Sequence, residues 1–447
     1  MTSLDSFYAY TEPRVPARVG RLGESAQRVL MALVTLALLQ MLLLPNPLLT
    51  KFTGYAEPGG GNPLFKIHFY SYTLFLALGF VVACVGLVRF TAEQIALRPG
   101  VMQFAAVIVA CTVITILRHG IGGVAYMVDT LLAAPLIVML AFALDEERRQ
   151  KLTTLIIYFV VLNATIGVVE RLAGMHFIFT DLDKFEYFRA TALMGHPLEN
   201  AFVTSSAMFL VVAMPWRPMK KALILSICMA GILAFGARSS FGVAIALGIA
   251  AALYVGGRSL LHGEMRLSTL MAAPWIATFT LTAGAALTFG SVLGERIVKL
   301  AKFDESAQVR VDSFRIFNYL SWDKILNGID FAERNFLIDT YKDVNIIENC
   351  WIAIILMIGG VLFVVFAVSL LGFFRSIGRG RGALAAFAIL NFLLVASTSN
   401  SISTKTPSLA IFAVAMIGIP LVARRRREAE QGHAVHYTVP LRDGIWS

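Results

Sequence analysis

Three short polar segments interrupt an otherwise apolar chain, and each carries a side chain suited to charged substrates. Gly195-His196-Pro197-Leu198-Glu199-Asn200 holds an imidazole, Ala237-Arg238-Ser239-Ser240 a guanidinium, and Glu348-Asn349 a carboxylate. Arginine stays charged and grips phosphate oxygens with two donors at once, while histidine and glutamate can transfer protons. These residue types together suit chemistry on a phosphate-bearing substrate.

Each segment also has a purely structural interpretation, which the sequence leaves open. Pro197 and Glu199 suit the first turn of a helix, so His196 could simply mark a helix entry. Arg238 could cap a hairpin or reach along it to water, and Glu348-Asn349 could be a first-turn acid with a helix cap. Asp129 is a further candidate, because an acid inside a membrane span is costly without a role.

The composition sets the class of protein that must position these residues. Of the 447 residues, 57% are hydrophobic and only 15% are charged, against roughly 25% charged in soluble domains. The net charge of +10 does not indicate nucleic-acid binding, since the basic residues fall between apolar runs, as orienting charges do. The four cysteines lie in or beside apolar runs without metal-ligand spacing, so we predict no metal and no cofactor.

Apolar runs predict an all-α polytopic membrane protein with about twelve transmembrane helices. The spans are predicted near 28–46, 70–89, 101–117, 124–144, 152–169, 199–215, 221–236, 239–256, 269–289, 349–372, 383–398 and 407–423. Residues 222–255 are nearly all apolar, but as one helix they would be roughly 50 Å long against a hydrocarbon core of about 30 Å. We therefore expect a turn at 236–239 with Arg238 at its tip.

The distribution of basic residues predicts the orientation of these spans. With residues 1–27 in the cytoplasm, every segment on that side is basic, as the positive-inside rule requires. Residues 28–423 then form the membrane domain, with an uncleaved first span, and residues 424–447 form a cytoplasmic tail. Arg171, Arg189 and Arg238 fall on the opposite side, as does a long outer loop over 290–348, and these arginines break the orientation rule.

Four features, in chain order, resemble the O-antigen polymerase and ligase superfamily of bacterial inner membranes. They are the segment 189–200 with Gly195-His196-Pro197, the hairpin Ala237-Arg238-Ser239-Ser240-Phe241-Gly242, the outer loop with Arg310-Val311-Asp312-Ser313-Phe314-Arg315, and Glu348-Asn349 opening a span with Gly359-Gly360. The resemblance covers roughly residues 185–400. Each motif is short, and the similarity rests on their order and their common membrane side.

The resemblance implies a GT-C-like membrane glycosyltransferase that acts on a glycan carried by undecaprenyl pyrophosphate. Ligases of this superfamily usually have a histidine in or at the end of the outer loop, whereas residues 290–348 contain none and Glu348 stands there instead. This departure favours a polymerase, which joins two lipid-linked units, over a ligase, which transfers the glycan to lipid A-core. A transporter or flippase of the same lipid-linked oligosaccharide is the alternative from another class.

The resemblance also implies roles for individual residues and a cellular setting. The expected catalytic residues are Arg238, Arg310, Glu348 and His196, and the expected substrate-binding residues are Arg171, Arg189, Asn200, Ser239, Arg315 and Asn349. The reaction is expected to invert the anomeric centre without a metal. The protein would lie in the inner membrane with both termini cytoplasmic, binding the bilayer and the lipid-linked oligosaccharide, with a chain-length regulator as a further partner.

Overall fold

The computed structural model describes residues 22–55, 63–120, 124–178, 188–261, 308, 310, 312–341 and 347–421. Within these ranges the regular structure is helical and contains no strand. The first half comprises α1 (Glu24–Leu43), α2 (Asn46–Thr53), α3 (Phe69–Val85), α4 (Leu87–Leu97), α5 (Pro99–His119), a π-helical segment (Met127–Leu132) that continues into α6 (Ala133–Phe142), and α7 (Glu146–Ala173).

The second half begins with α8 (Pro197–Ala213), α9 (Pro218–Phe235) and α10 (Arg238–Leu261). Two short helices follow in the predicted outer loop, α11 (Trp322–Asn327) and α12 (Phe331–Thr340), after a 3-10 segment at Ser313–Tyr319. The last helices are α13 (Cys350–Ile358), α14 (Gly360–Gly378), α15 (Ala383–Ala396) and α16 (Ser408–Ile417), with a 3-10 turn at Ser401–Ser403.

Six of the described helices are long and apolar enough to cross a membrane. They are α1, α5, α7, α9, α14 and the Arg238–Arg258 part of α10. Helices α3 and α4 meet the same criterion together, but they are bent by 104° at their junction. The residues from Met127 to Phe142, together with α8, α15 and α16, are shorter apolar helices. The chain is therefore a helical membrane protein, and the number twelve remains a prediction, with 269–289 outside the described residues.

Two fully apolar helices form the centre of the bundle. All 10 residues of α16 are buried, and α6 is buried along nearly its whole length. Helix α16 packs against α6, α7 and α8. A helix that is apolar on every side belongs either in lipid or in a core. Here neighbouring helices cover α16, while outer helices expose large side chains such as Leu117 and Val364.

Helix ends define two ends of the bundle. We call one end of the bundle the Glu348 end; α7 finishes there, and α8, α10, α13 and α16 begin there. We call the opposite end the Arg149 end; α7 begins there, and α6, α14 and α16 finish there. The contacts that fix this sense are the Ala190 amide on the Ala234 carbonyl, the Cys350 amide on the Ser399 carbonyl, and the Ser408 hydroxyl on Glu199. The predicted reactive residues all lie toward the Glu348 end.

Most predicted helices are present, but two of the predicted spans differ from the structure. The turn at 236–239 is confirmed: α9 ends at Phe235, Gly236 adopts φ +65°, and α10 begins at Arg238. The span predicted at 70–89 instead ends at Val85 and turns sharply at Gly86. The span predicted at 349–372 is broken at Gly359 (φ +83°), between α13 and α14.

The break at Gly359 exists because the outer loop docks against it. Helix α11 ends at Asn327, and the Ile329 amide donates to the Leu356 carbonyl at 2.6 Å. A Cβ atom at Gly359 would lie 2.3 Å from the Leu326 carbonyl oxygen. Since only glycine allows this approach with a positive φ, the glycine pair marks where the loop helices meet the span.

Candidate functional site

An arginine and a glutamate face each other where the outer loop meets α13. Arg310 Nη2 lies 3.5 Å from Glu348 Oε2, and the two side chains are 26% and 28% exposed. Arg310 Nε and Glu348 Oε2 are buried atoms that make no hydrogen bond within the described part of the chain. The pair therefore keeps unused hydrogen-bonding capacity at a half-buried position beside the surface.

The neighbours of Glu348 hold it in place through the backbone. The Glu348 amide donates to Ser313 Oγ at 3.4 Å, so the 3-10 segment of the loop contacts the start of α13. Asn349 caps α13, accepting from the amides of Trp351 at 3.0 Å and Ile352 at 3.3 Å. The structural interpretation of Asn349 is thus confirmed, and its predicted part in substrate binding stays a prediction.

Arg315 lies on the exposed side of the same loop. Its Nε is 3.2 Å from Asp312 Oδ1, and half of its side chain is exposed. Asp312 precedes the 3-10 segment but makes no side-chain capping bond. Arg310 and Arg315 therefore both belong to the loop edge next to α13, with Arg310 the more buried of the two.

A second group of predicted residues gathers around residues 188–196, which lead into α8. The buried carboxylate of Glu170 accepts hydrogen bonds from the amides of Phe177 at 3.0 Å, Thr191 at 2.8 Å and Ala192 at 2.9 Å. Arg171 is buried and donates to the Phe188 carbonyl at 2.6 Å. This network explains Arg171 as a support for the segment that carries Arg189 and His196.

Asn200 supports the same segment from within α8. Its Nδ2 donates to the Thr191 carbonyl at 2.6 Å, and its Oδ1 accepts from Asn163 Nδ2 at 3.0 Å. Asn163 Oδ1 in turn accepts from the Leu193 amide at 2.9 Å. The Asn200 side chain is fully buried. Asn200 thus holds the segment that presents His196, and direct contact with substrate stays a prediction.

Arg238 and Ser239 begin α10 beside this segment and are half-buried. Ala237, just before them, packs in one small apolar cluster with Ala190, Ala192 and Phe235. Arg189 is also half-buried and adjoins Ala190. The structure therefore brings Arg189 and Arg238 to the same corner of the Glu348 end, as the sequence predicted.

His196 occupies the N-cap position of α8 but makes no capping hydrogen bond with its side chain. The residue is exposed to solvent, and burial of the ring among neighbouring atoms lowers the pKa of its imidazole. The helix-entry interpretation accounts for Pro197 at N1 but leaves the imidazole available.

The two groups are joined through the end of α15. Asn349 Nδ2 donates to the Ser397 carbonyl at 3.4 Å, and Trp351 Nε1 donates to Ser397 Oγ at 2.7 Å. Helix α15 packs along α8, with Asn391 near Ser205. The structure thus places the Arg310–Glu348 pair and the Arg189–Arg238 corner at one end of the bundle, on either side of α15.

Asp129 belongs to a different kind of site, which we call the Asp129 cluster: Asp129, Tyr55, His68 and Ser71. The carboxylate accepts from Tyr55 Oη at 2.7 Å, from Ser71 Oγ at 2.6 Å and from the His68 amide at 3.1 Å. It is completely buried. The π-helical segment displaces Asp129 from the regular α-helical ladder, and such segments often carry specialised residues.

A polar segment that was not among the predicted site residues, residues 397–408, connects these regions. Thr130 Oγ1 donates to the Thr404 carbonyl at 2.5 Å, and Lys405 Nζ donates to the Tyr55 carbonyl at 2.8 Å. Ser408 Oγ donates to the buried Glu199 at 3.2 Å. The missed signal was a run of serine and threonine between two apolar spans, which is unusual for a simple loop.

Comparisons with known proteins leave the family unassigned. No protein-family model matches the chain, and no curated protein matches it significantly. Among the residues that the structure describes, no group of three His, Cys, Asp or Glu side chains could hold a metal ion. The superfamily resemblance therefore stays a prediction that rests on the four motifs.

The geometry at the Glu348 end suits the stabilisation of an anion together with proton transfer. Guanidinium groups from the outer loop and from the start of α10 lie at the same end of the bundle as Glu348 and His196, and Arg310 Nη2 is 3.5 Å from Glu348 Oε2. Positive charge at the edge of an apolar bundle is little screened, so it stabilises developing negative charge more strongly than in water.

Proposed function

We propose that this protein is a membrane glycosyltransferase that takes a glycan from a polyprenyl pyrophosphate carrier. The acceptor is a sugar hydroxyl on a second lipid-linked repeat unit, so the product is a longer glycan. The observation that carries the proposal is the Arg310–Glu348 pair, in which an acid and a guanidinium face each other at 3.5 Å with unused hydrogen-bonding atoms. The four motifs supply the substrate class.

The proposed reaction is a single displacement at the anomeric carbon. The acceptor oxygen forms the new bond while the bond to the pyrophosphate oxygen breaks, and the pyrophosphate leaves with that electron pair. Glu348 or His196 accepts the acceptor proton. Arg310 and Arg238 stabilise the negative charge that grows on the leaving group. Attack from the face opposite the leaving group inverts the configuration.

The buried support around the candidate groups agrees with this proposal. Glu170 and Asn200 fix the segment 188–196 by hydrogen bonds to backbone atoms, which leaves Arg189 and His196 at its edge. Catalysis by oriented charges needs such rigid support, because a site that must rearrange loses much of its electrostatic advantage. We further propose that this end faces the periplasm of a bacterial inner membrane, with both termini in the cytoplasm.

The proposal is tested by reconstitution of the purified protein with lipid-linked repeat units. A ladder of longer glycans is expected. Transfer only to lipid A-core would instead indicate a ligase, and flux of labelled lipid across vesicles without lengthening would indicate a transporter. Each of these results would replace the proposed polymerase.

Arg238→Lys tests the role of the guanidinium at the start of α10. The substitution keeps the charge but removes the two-donor fork, so we expect the rate to fall about tenfold or more. Arg258→Lys, near the other end of the same helix, is the matched control and should retain the rate. Full activity of Arg238→Lys would remove Arg238 from the proposed role.

A further inference from the structure

Three arginines converge at the Arg149 end, far from the groups discussed above. Arg98 lies between α4 and α5, Arg149 is in the first turn of α7, and Arg381 is in the loop between α14 and α15. The guanidinium carbon of Arg98 is 4.4 Å from the centre of the Phe142 ring, and that of Arg149 is 5.3 Å from the same centre. Two like charges therefore share one aromatic ring.

Arg381 completes the group from the core side. It is 6% exposed, and its guanidinium donates to the carbonyls of Ile377 at 2.9 Å and Ile417 at 2.7 Å. Beside Ile417, a Cβ atom at Gly418 would lie 2.4 Å from the Arg149 carbonyl oxygen, so α7 touches the end of α16. Burial, with Arg149 and Arg98 close by, lowers the pKa of Arg381 to about 9.

The structural roles of Arg149 and Arg381 account for only part of their donors. Arg381 satisfies carbonyls at the end of α16, where a cation is favourable. Arg98 donates to the Leu97 carbonyl at 2.8 Å. However, the Nε atoms of Arg149 and Arg381 are buried and make no hydrogen bond in the described ranges. Basic residues that only set the orientation of the spans are expected to extend into water at the membrane surface, rather than to pack against an aromatic ring.

The charges around these arginines also favour a bound anion. Glu146 acts on both Arg149 and Arg381, and Asp145 also acts on Arg149. Asp145, which lies next to it, is engaged with Arg148 in an ion pair. Arg149 and Arg98 both lower the pKa of the buried Arg381, so these guanidinium groups repel one another at a position where like charges interact more strongly than in water. An anion would relieve that repulsion and use the buried donors.

We propose that Arg98, Arg149 and Arg381 bind a phosphate group at the Arg149 end. Guanidinium is suited to phosphate, because its planar fork matches two phosphate oxygens. The phosphate could belong to the headgroup of an anionic lipid or to a soluble phosphate ester. The site is independent of the proposed glycan transfer, since α7 has 28 residues and separates the two ends by roughly 42 Å.

Native mass spectrometry of the detergent-solubilised full chain, with unfolding midpoints in parallel, tests the proposal. The probes are phosphatidylglycerol, phosphatidylcholine and inorganic phosphate. We expect phosphatidylglycerol or inorganic phosphate to bind and raise the midpoint, and phosphatidylcholine, whose headgroup is neutral overall, to bind more weakly. The double variant R98Q/R149Q should bind about 100-fold more weakly, because two charge-assisted contacts are lost.

Arg375→Gln is the matched control, because Arg375 is exposed in the last turn of α14 and loses the same charge at the same end. Binding of phosphatidylglycerol alone assigns a lipid headgroup, and binding of inorganic phosphate assigns a soluble source. If the double variant does not fold, Arg149→Lys keeps the charge and should still weaken binding relative to Arg375→Lys. Equal binding by the site and control variants, or no preference for a phosphate anion, would overturn the proposal.

Discussion

The Asp129 cluster and the Arg310–Glu348 pair are both polar groups in an apolar bundle, yet their hydrogen bonding differs. Asp129 is completely buried and accepts from three donors on other segments. Glu348 is partly exposed, and its Oε2 lies 3.5 Å from Arg310 Nη2 and makes no hydrogen bond to any residue that the structure describes. A buried carboxylate whose acceptors are filled holds the structure together, whereas one with unused acceptors can respond to a ligand.

Because of this difference, an acid inside a span is not by itself evidence for a functional site. Asp129 was a candidate because charge inside a span is costly. Its partners offset that cost, so the cluster links the loop before α3 to the π-helical segment. The predictions that follow separate stability from activity, and each one assigns a different outcome to the two regions.

Substitution of Glu348 should give the largest effect, and it should appear in activity. Glu348→Gln keeps the size of the side chain but removes the carboxylate that would accept a proton, so the transfer rate should fall about 10²- to 10⁴-fold. The unfolding midpoint should change little, because both members of the Arg310–Glu348 pair are partly exposed and such ion pairs contribute little to stability. Glycan-ladder assays and thermal unfolding in detergent measure the two quantities.

The control for Glu348→Gln is Glu333→Gln, which alters a glutamate of the same outer loop that pairs with Lys324. It should retain the transfer rate. Unchanged activity in Glu348→Gln, with His196→Gln inactive, would assign the base to His196 instead. Loss of folding in Glu348→Gln would show that the two regions do not differ in the way described.

Substitution of Asp129 should show the opposite pattern. Asp129→Asn places an amide donor against Tyr55, Ser71 and the His68 amide, so it should lower the free energy of unfolding by about 3 kcal/mol. Asp339→Asn, on the exposed part of α12, is the control and should have almost no effect. Denaturation in mixed micelles compares the two. A fully stable but inactive Asp129→Asn would make Asp129 a functional residue after all.

The sequence predicts the helices and the turn at Gly236 well, because hydrocarbon thickness limits how long an apolar run can be. It cannot distinguish α16, which is covered by protein, from α5, which exposes side chains such as Leu117, since both environments are apolar. The break at Gly359 depends on a loop that docks from elsewhere in the chain. Local pattern therefore predicts a continuous span there.

The candidate site is predictable only in part, for a related reason. Residue type and the order of motifs identify Arg238, His196 and Glu348. The partners that separate support from reactivity come from distant segments: Asn163 binds Asn200, and Arg310 faces Glu348. Hydrogen bonds between segments carry no local sequence period, so the supporting role of Asn200 could not be predicted from the sequence.

A last prediction concerns His68, and it tests whether the Asp129 cluster is as tightly bonded as its distances indicate. The His68 ring lies with Nε2 at 2.8 Å from the Leu44 carbonyl, while Nδ1 accepts from the Tyr70 amide. This arrangement needs a neutral ring, and a proton on Nδ1 would face the Tyr70 N–H. Burial lowers the pKa of His68 from 6.5 to about 4.

The unfolded chain therefore binds a proton as the pH falls through about 6.5, while the folded protein stays neutral at His68 until about pH 4. The stability due to neutral His68 is complete above pH 6.5 and is lost progressively toward pH 4, up to about 3 kcal/mol in all.

His68→Asn keeps an acceptor at the helix cap without titrating, so its unfolding midpoint should fall less between these pH values. His119→Asn, at the end of α5 and outside the cluster, should fall as the unmodified protein does. An identical pH profile in His68→Asn and the unmodified protein would mean that the ring is not held neutral, and that this edge of the cluster is open to water like the Arg310–Glu348 pair.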